Sequence, residues 1–424
     1  MLFSDGHFPD ICENLRTHLN IPNATIYLSD ETTSDIEEMQ VFDQPQKAYN
    51  NAVLGGTFDR IHLGHKLFLT QAVLRACKRL VVGVTAPNMT KTKILSELIL
   101  PVDQRINEVK QFLMEIDATL KYDVVAIDDP FGPTKSDPDL EVIIVSAETL
   151  RGGHKVNELR AKNKLRPLEI FCIDVVESNV VDGPKETKIS SSNTRIDLLG
   201  TRLKAPEPRP NLPASPYIIG LTGGIAAGKS NMAQCLGKKG AHVLDCDKIA
   251  HEIYAPGQVC YNKVVEHFGQ GILDNDKRID RTKLGPIVFA DPKQLTALNT
   301  IVWPELLLEV KRRIKKMHAT TSTKVFILEA AILLKAGWET ECHEVWSMII
   351  SPEEAIKRTM ERNKLSEEEV RKRLASQMDN SEVVSKSNVV FCSQWEPEFT
   401  HQQADNAWRM LMCELEMRPD RSML

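Results

Sequence analysis

A glycine-rich segment with the chemistry of phosphate binding reads GGIAAGKS. It fits the pattern G-x4-G-K-S, in which glycines let successive backbone N–H groups point at phosphate oxygens. Its lysine, Lys229, can reach the β- and γ-phosphates, and the hydroxyl of Ser230 can ligate Mg2+. An apolar run precedes the segment and a helical pattern follows it, which is the context that a phosphate-binding loop requires. We therefore predict an ATP site formed by Gly223, Gly224, Ile225, Ala226, Ala227, Gly228, Lys229 and Ser230.

Charged residues that can act with this loop lie further along the chain. The next apolar run ends in Asp245-Cys246-Asp247, and a strand would place both carboxylates on one side, at the carboxyl end of a parallel sheet. One carboxylate can then act as a general base, while the other orients the acceptor hydroxyl or binds Mg2+ through water. A polar strand end that caps a helix is the alternative. Arg358 and Arg362 share one helical face and are typical of a mobile lid, with a solvated charged helix as the alternative.

The first half carries a different constellation, in which Thr57 is followed by the HxGH residues His62 and His65. Two histidines near a helix N-terminus can donate hydrogen bonds to an α-phosphate as charge builds on it. Thr57 can hydrogen-bond an attacking phosphate, which a nearby lysine can neutralise. Histidines that only cap or pack the helix are the alternative. The later run KISSSNTR favours chemistry, because before a second helix it places Ser190, Ser191, Ser192 and Arg195. Three hydroxyls there predict a second anion site, with Arg195 in the first helical turn beside the leaving phosphates.

The elements that must position these residues are short β-branched runs, such as LVVGVTA, EVIIVSA and KVFILEAA, alternating with helical patterns. This alternation predicts α/β domains with parallel sheets and crossover helices. Five prolines in TRLKAPEPRPNLPASP interrupt it and indicate a semi-rigid linker. We predict a polar appendage over residues 1–50, α/β domains over 51–200 and 217–424, and the linker over 201–216.

Composition excludes several other classes of protein. The net charge of -5 argues against a general nucleic-acid binder, and the longest apolar runs are too short to cross a bilayer. The nine cysteines include no CxxC pair, which favours reduced thiols over a metal or redox site. The first residues lack the pattern of a secretory signal. We expect a cytoplasmic protein, and leave association with mitochondria open.

Four segments of the second half resemble the dephospho-CoA kinase family: GLTGGIAAGKS, VLDCDKIAHEIYAPG, LDNDKRIDRTKL and RTMERNKLSEEEVRKRLASQM. The resemblance implies a P-loop kinase fold with a helical lid and transfer of phosphate from ATP, with Mg2+, to the ribose 3'-hydroxyl of dephospho-CoA. It further implies that Asp247 is the general base and that Asp245 and Arg281 lie on the substrate side. Arg358 and Arg362 correspond to lid residues.

The chain departs from that family at two places. Trp303-Pro304 stands where His-Pro is usual, and the run Glu329-Ala-Ala-Ile-Leu-Leu-Lys335 replaces an acidic-x-Pro-Leu-Leu-x-Glu run. The departures affect the residues expected to contact the acceptor more than the residues expected to transfer the phosphoryl group.

GGTFDRIHLGH and ISSSNTR resemble the nucleotidyltransferase superfamily, and VSAETLRGGHKVNELRAKNKLRPLEIFCIDVV is similar to its phosphopantetheine adenylyltransferase family. The resemblance implies a Rossmann-like domain that joins 4'-phosphopantetheine to ATP with Mg2+, giving dephospho-CoA and pyrophosphate. Arg151 then corresponds to a phosphate-binding arginine. MTKTK supplies two candidates for the substrate-side lysine, Lys91 and Lys93, of which we prefer Lys91.

The order of the two resemblances is that of the bifunctional coenzyme A synthase family, in which the product of the first site is the acceptor of the second. Two alternatives remain open at this point. One is an enzyme of the same folds with other acceptors, and the other is a non-catalytic pair that senses nucleotides or acts as a scaffold. Retention of Lys229, Asp247 and both HxGH histidines disfavours the second.

Overall fold

The structure, a computed structural model of the 424-residue chain, describes residues 48–174, 183–321 and 323–417. Residues 1–47 of the predicted appendage lie outside the described residues, while Tyr49 and Asn50 already belong to the first strand. The chain divides into two compact units, Met1–Ile196 and Asp197–Leu424. The predicted α/β class with two parallel sheets is confirmed.

The first unit contains a five-stranded parallel sheet in the order β3-β2-β1-β4-β5. Its strands are β1 (Tyr49–Gly56), β2 (Ala76–Thr85), β3 (Lys121–Ile127), β4 (Val142–Ser146) and β5 (Glu169–Ile173). The helices of this region are α1 (Leu63–Val73), α2 (Val102–Ile116), α3 (Leu150–Lys162) and α4 (Ser191–Asp197). Aliphatic and β-branched side chains on both faces of the central strands are buried against the helices, as a sheet covered on both sides requires.

The strand order places a topological switch point between β1 and β4. The chain runs outwards from β1 through β2 to β3, and then returns to β4 on the other side of β1. In open α/β sheets, ligands bind outside the carboxyl ends of the strands at such a point. The loop after β1 carries the HxGH motif, and Arg151 lies in the first turn of the helix after β4. The fold therefore brings these two segments to the same edge of the sheet.

The second unit contains a five-stranded parallel sheet in the order β10-β9-β6-β8-β7. Its strands are β6 (Tyr217–Gly223), β7 (His242–Asp245), β8 (Val325–Glu329), β9 (Glu344–Ile349) and β10 (Val389–Cys392). The helices are α5 (Lys229–Lys238), α6 (Cys246–Glu252), α7 (Val259–Phe268), α8 (Arg281–Ala290), α9 (Pro292–Thr320), α10 (Pro352–Asn363), α11 (Glu367–Ala375), α12 (Asn380–Ser385) and α13 (Pro397–Met417). None of the helices in the described part of the chain is long and apolar enough to cross a membrane.

Two local predictions differ from the structure. The strand predicted to carry both aspartates ends at Asp245, and Asp247 lies in the first turn of α6. The reason is that the Asp245 carboxylate accepts a hydrogen bond from the Lys248 backbone N–H and so starts a helix. The long charged helical pattern near residues 353–379 is broken after α10, because Lys364 adopts φ 53° and Ser366 caps α11.

The beginning of the proline-rich segment packs on the second unit. The Gly200 N–H donates to the Val390 carbonyl, and Arg202 pairs with the buried carboxylate of Glu344 at 2.7 Å. Glu344 also accepts hydrogen bonds from the Tyr217 hydroxyl and the Trp346 indole N–H. The segment is therefore fixed to the sheet at its first residues rather than only where β6 begins.

Candidate active sites

The loop between β6 and α5 has the backbone geometry of a phosphate-binding loop. Gly228, at φ 89°, caps α5 and turns the chain into the helix. Gly223 has φ 141°, and a Cβ at that position would lie 2.3 Å from the Met348 carbonyl oxygen of the neighbouring strand β9. Glycine is required there because both the conformation and the close approach exclude a side chain. The N-terminus of α5 thus faces the space above the carboxyl ends of the strands.

Lys229 is the centre of the predicted kinase site. Its ammonium group donates hydrogen bonds to the carbonyls of Gly223 and Gly224 at 2.9 and 3.1 Å. Burial lowers the pKa of Lys229, the charges of Asp247 and Glu329 oppose that shift, and the charge of Arg362 adds to it. Three groups from separate elements therefore act on this one ammonium group. No hydrogen bond or ion pair joins Lys229 to Asp247 or Arg362 among the described residues, so these two predicted residues act on Lys229 through their charges alone.

Glu329 was assigned from the sequence only to the run that shapes the acceptor pocket, and not to the phosphate-binding loop. It ends β8, the strand beside β6, and its Oε1 accepts a 2.6 Å hydrogen bond from the Ser230 hydroxyl. An acidic residue at the end of the strand adjacent to the loop was the available signal. A hydroxyl and a carboxylate are hard oxygen ligands of the kind that Mg2+ prefers, so the pair fits the predicted magnesium role of Ser230. In the described part of the chain, no group of three His, Cys, Asp or Glu side chains is arranged to hold a metal.

The predicted acceptor side is formed by α6 and the start of α8. Asp247 is exposed in the first turn of α6, whereas the Asp245 carboxylate caps that helix and pairs with Lys248 at 3.0 Å. One guanidinium nitrogen of Arg281 lies 2.8 Å from Nδ1 of His251, one turn after Asp247, and Arg281 also lies over the Tyr254 ring. The same Nδ1 lies 3.0 Å from the Asp247 backbone carbonyl, and it can either accept from Arg281 or donate to that carbonyl, but not both at once. The sequence reasoning did not single out His251.

The two lid arginines differ in their contacts. Arg358 donates to the side-chain and backbone oxygens of Ser393 at 3.0 and 2.8 Å, and the Ser393 hydroxyl donates to the Ala227 carbonyl in the loop. Arg362 is exposed at the end of α10. In this structure Arg358 therefore supports the phosphate-binding loop, while Arg362 is open to solvent and close enough to act on Lys229.

The two positions at which the sequence departs from the dephospho-CoA kinase pattern, Lys335 and Trp303, lie in different parts of the unit. Lys335 donates from its ammonium group to the Ser376 carbonyl at the C-terminal cap of α11, where positive charge is favourable. The next residue, Gln377, accepts a 2.9 Å hydrogen bond from the Ile225 N–H of the loop. Trp303 is half-buried in α9 and packs against the core of the unit. The reversed charge at Lys335 thus has a structural partner.

The HxGH histidines lie at the start of α1, as predicted. His62 caps the helix, because its Nδ1 accepts a 3.4 Å hydrogen bond from the His65 N–H. The rings are stacked with centroids 3.8 Å apart. Since Nδ1 of His62 is an acceptor, its proton lies on Nε2, which is 3.4 Å from the Ser191 hydroxyl. His62 and Ser191, from distant parts of the sequence, therefore face each other.

His65 is held in its neutral form. Burial, together with the charges of His62 and Lys93, lowers the pKa of His65 to about 3. Its Nδ1 is buried and has no hydrogen-bond partner among the described residues. A neutral imidazole can donate one hydrogen bond to an anion without carrying a charge of its own.

The serine run lies at the start of α4. The Ser190 hydroxyl accepts a hydrogen bond from the Asn193 N–H at 3.2 Å, and Ser191 and Ser192 form the first turn of the helix. The Asn193 side chain bonds to Glu186 and to the Lys188 carbonyl, which fixes the preceding loop. The hydroxyls are partly exposed, as an anion site needs.

Arg195 differs from its prediction. It lies in the last turn of α4 rather than the first, and its side chain is only 1% exposed. Its guanidinium group pairs with the buried carboxylate of Asp59 at 2.7 Å and donates to the Ile94 carbonyl. The helix is short and the following Ile196 enters the core, so Arg195 is drawn inwards. This structure therefore does not present Arg195 to a nucleotide; it joins the serine helix to the loop after β1.

A buried arginine that the sequence reasoning did not identify holds the backbone near Thr57 in the first site. Arg105, 1% exposed, donates to the carbonyls of Thr57 and Thr85 at 2.6 and 2.8 Å. The hydroxyls of these two threonines are 3.2 Å apart at the ends of neighbouring strands. The charge of Lys93 acts on His65, so Lys93 remains a candidate for the lysine of this site beside the preferred Lys91. Arg151 is exposed in the first turn of α3.

The folds and the two sites define the class of protein: a Rossmann-like domain of the nucleotidyltransferase kind and a P-loop kinase domain in one chain. The dephospho-CoA kinase family model matches residues 217–394, and the cytidylyltransferase-like family model matches residues 53–196. A dephospho-CoA kinase of Carboxydothermus hydrogenoformans is 39% identical over 44% of this chain and 90% of its own length. The corresponding protein of Geobacter sulfurreducens is 36% identical over 45% of this chain and 96% of its own length.

Among solved structures, the dephospho-CoA kinase of Campylobacter jejuni is 25% identical, with a TM-score of 0.37, over 46% of this chain and 98% of its own. Through its second half, this chain belongs to the dephospho-CoA kinase family. The two family matches, in this order, are consistent with a coenzyme A synthase-like fusion.

Proposed function

We propose that the second unit phosphorylates the ribose 3'-hydroxyl of dephospho-CoA with ATP. The observation that carries the proposal is the geometry of the phosphate-binding loop, where Lys229 bonds to the Gly223 carbonyl at 2.9 Å and Ser230 bonds to Glu329 at 2.6 Å. We assign Asp247, which is exposed, as the base that accepts the proton of the attacking hydroxyl. Lys229 leaves its two carbonyl partners for phosphate oxygens, and Arg362 neutralises charge on the transferring group.

Ser230 and Glu329 would hold Mg2+ in this site. When bound, the ion neutralises the phosphate oxygens and helps to orient the chain of phosphates. The residues themselves supply the positioning: the loop amides hold the phosphates, while Arg281, in contact with His251, orients the acceptor side. These roles support phosphoryl transfer to a hydroxyl group. The identification of that group as the ribose 3'-hydroxyl of dephospho-CoA rests on the family.

We further propose that the first unit makes dephospho-CoA from 4'-phosphopantetheine and ATP, releasing pyrophosphate. The neutral His65 and the Nε2–H of His62 donate hydrogen bonds to the α-phosphate as charge develops there. Ser190, Ser191 and Ser192 accept the leaving phosphates at the start of α4. Thr57, with its backbone held by Arg105, and Lys93 bind the attacking phosphate. The matching family is described as cytidylyltransferase-like, so CTP is the competing donor.

The experiment is product analysis by chromatography and mass spectrometry with 4'-phosphopantetheine, Mg2+ and either ATP or CTP. Wild type should convert the substrate with ATP to dephospho-CoA and then to CoA. Lys229→Ala should stop at dephospho-CoA, because only the second site loses its phosphate ligand. His65→Ala should lose the first step by about 100-fold or more and still phosphorylate supplied dephospho-CoA.

Lys238→Ala is the matched control for the kinase, because Lys238 is exposed in the last turn of the same helix. Each variant also serves as a folding control for the other step. A wild-type enzyme that joined 4'-phosphopantetheine to CMP from CTP, and formed no dephospho-CoA from ATP, would overturn the choice of nucleotide. An enzyme that left supplied dephospho-CoA unchanged in ATP would overturn the kinase assignment.

A further inference from the structure

A cavity of about 500 Å3 opens in the second unit between α9 and the proline-rich segment that precedes β6. We propose that this cavity binds an aliphatic monocarboxylate, with the chain on the apolar floor and the carboxylate at Lys315. Its volume falls within the range of about 300–1,000 Å3 that is typical of small-molecule sites. No residue of the phosphate-binding loop lines the cavity, so it is a separate site.

The floor of the cavity is aliphatic. It is formed by one face of α9 and by two residues of the sheet: Leu307, Val310, Ile314, Ile218 and Leu328. Three of them, Val310, Leu328 and Ile314, are at most 6% exposed and belong to the core. The proline-rich segment adds Leu212, Pro213 and Pro216 as the opposite wall. Among the lining residues the only ring other than proline is that of His318, so the surface suits a flexible saturated chain better than a stacked aromatic group.

The rim of the cavity is basic on the helix side. Lys311, Lys315 and His318 follow one another at intervals of four and three residues and line the same opening. The carboxylate of Glu341, also at the rim, is compensated by Lys311 at 2.7 Å. Lys315 has no hydrogen bond or ion pair among the described residues, and it is exposed. The rim therefore offers one uncompensated cation, which matches a ligand with a single negative charge.

This charge balance decides between classes of anion. A nucleotide or a phosphorylated pantetheine carries at least two charges and many polar groups, which the aliphatic floor would leave without partners. An uncharged aliphatic ligand would cover the apolar floor but would leave the charge of Lys315 without a partner. A chain that ends in one carboxylate satisfies both halves of the cavity, with Asn211 and Ser215 available as further polar neighbours.

Calorimetry of the full chain with sodium octanoate, decanoate and dodecanoate, each below its micelle concentration, tests the proposal. Each added pair of methylenes should tighten the Kd about 15-fold while the floor has room, because one buried methylene is worth about fourfold. Lys315→Glu should weaken decanoate binding about tenfold or more, since it removes a charge-assisted contact and adds repulsion. Decanol, which lacks the charge, should also bind about tenfold more weakly.

Two further variants separate the cavity from adsorption to the surface. Lys316→Glu makes the same charge change on the adjacent residue, which is exposed and does not line the cavity, and should leave the Kd unchanged. Ala319→Trp fills the mouth from an exposed position and should abolish binding while leaving unfolding unchanged. Absence of decanoate binding to the wild type, or an equal loss in Lys315→Glu and Lys316→Glu, would overturn the proposal.

Discussion

The Ser230 hydroxyl lies 2.6 Å from a carboxylate oxygen of Glu329 and donates a hydrogen bond to it. Ser230 follows the lysine of the phosphate-binding loop, and Glu329 ends the neighbouring strand of the parallel sheet. The two residues are 99 positions apart in the sequence. Their contact joins the loop to the strand edge at the place where we propose that Mg2+ binds.

Replacing Glu329 by alanine should impair phosphoryl transfer without affecting adenylyl transfer. We expect kcat/KM for dephospho-CoA to fall about 10–100-fold and the Mg2+ concentration for half-maximal rate to rise, because the ion loses a ligand or the group that orients its ligand. Steady-state kinetics over a magnesium titration measure both quantities. Glu266→Ala, at an exposed position of α7, is the control. A fall in rate with an unchanged magnesium dependence would contradict the role.

The ion pair between Arg195 and Asp59 predicts a loss of stability rather than of nucleotide affinity. Arg195→Met leaves the buried Asp59 carboxylate with Arg60, at 3.0 Å, as its remaining cation, so the loss should be smaller than the value of about 3–5 kcal/mol that is typical of a buried charge left unpaired. Chemical denaturation of the full chain measures the free energy of unfolding. The double variant Asp59→Leu with Arg195→Met should recover much of that loss, because no charge stays buried. An unchanged stability with a raised KM for ATP would instead place Arg195 on the phosphates.

His65 predicts a pH dependence of stability with a definite sign. Its pKa is about 3 in the folded chain against 6.5 in the unfolded one. Between these values only the unfolded chain binds the proton, so stability should fall as the pH falls from about 6.5 towards 3. Between pH 7.5 and pH 5 the loss should be about 2 kcal/mol.

Denaturation of wild type and His65→Asn at both pH values tests this dependence, because asparagine does not titrate. The difference between the two proteins should change by about 2 kcal/mol from one pH to the other. His154→Asn, at an exposed position of α3, is the matched control. An identical pH dependence in wild type and His65→Asn would show that the imidazole is not held neutral.

Arg202 predicts that the proline-rich segment contributes to the stability of the second unit. Arg202→Met removes a cation from Glu344, whose side chain is fully buried, and should cost about 3–5 kcal/mol. Lys204→Met changes the charge equally at an exposed position, where the cost should stay below about 1 kcal/mol. Thermal unfolding of the kinase unit, followed by loss of phosphoryl transfer, compares the two. Equal effects would indicate a free linker.

The sequence by itself determined the fold class, the two phosphate-handling motifs and most of the strands. These features depend on local patterns: apolar period, glycine spacing and helix caps act over a few residues and are therefore visible in the chain. His62 at the start of α1 and Lys229 at the start of α5 were placed correctly for this reason.

Only the tertiary structure decided which residues meet across the chain and which side chains are buried. The same motif that offers three serines to a phosphate also contains Arg195, and nothing local shows that its guanidinium turns inwards to Asp59, 136 positions away. Arg105 was missed, and the contact of Glu329 with Ser230 was not foreseen, because their partners are a backbone carbonyl and a hydroxyl on distant segments of the chain. Burial and long-range pairing are properties of the packed sheet and helices, and a charged residue is drawn inwards only where a buried partner compensates the loss of water.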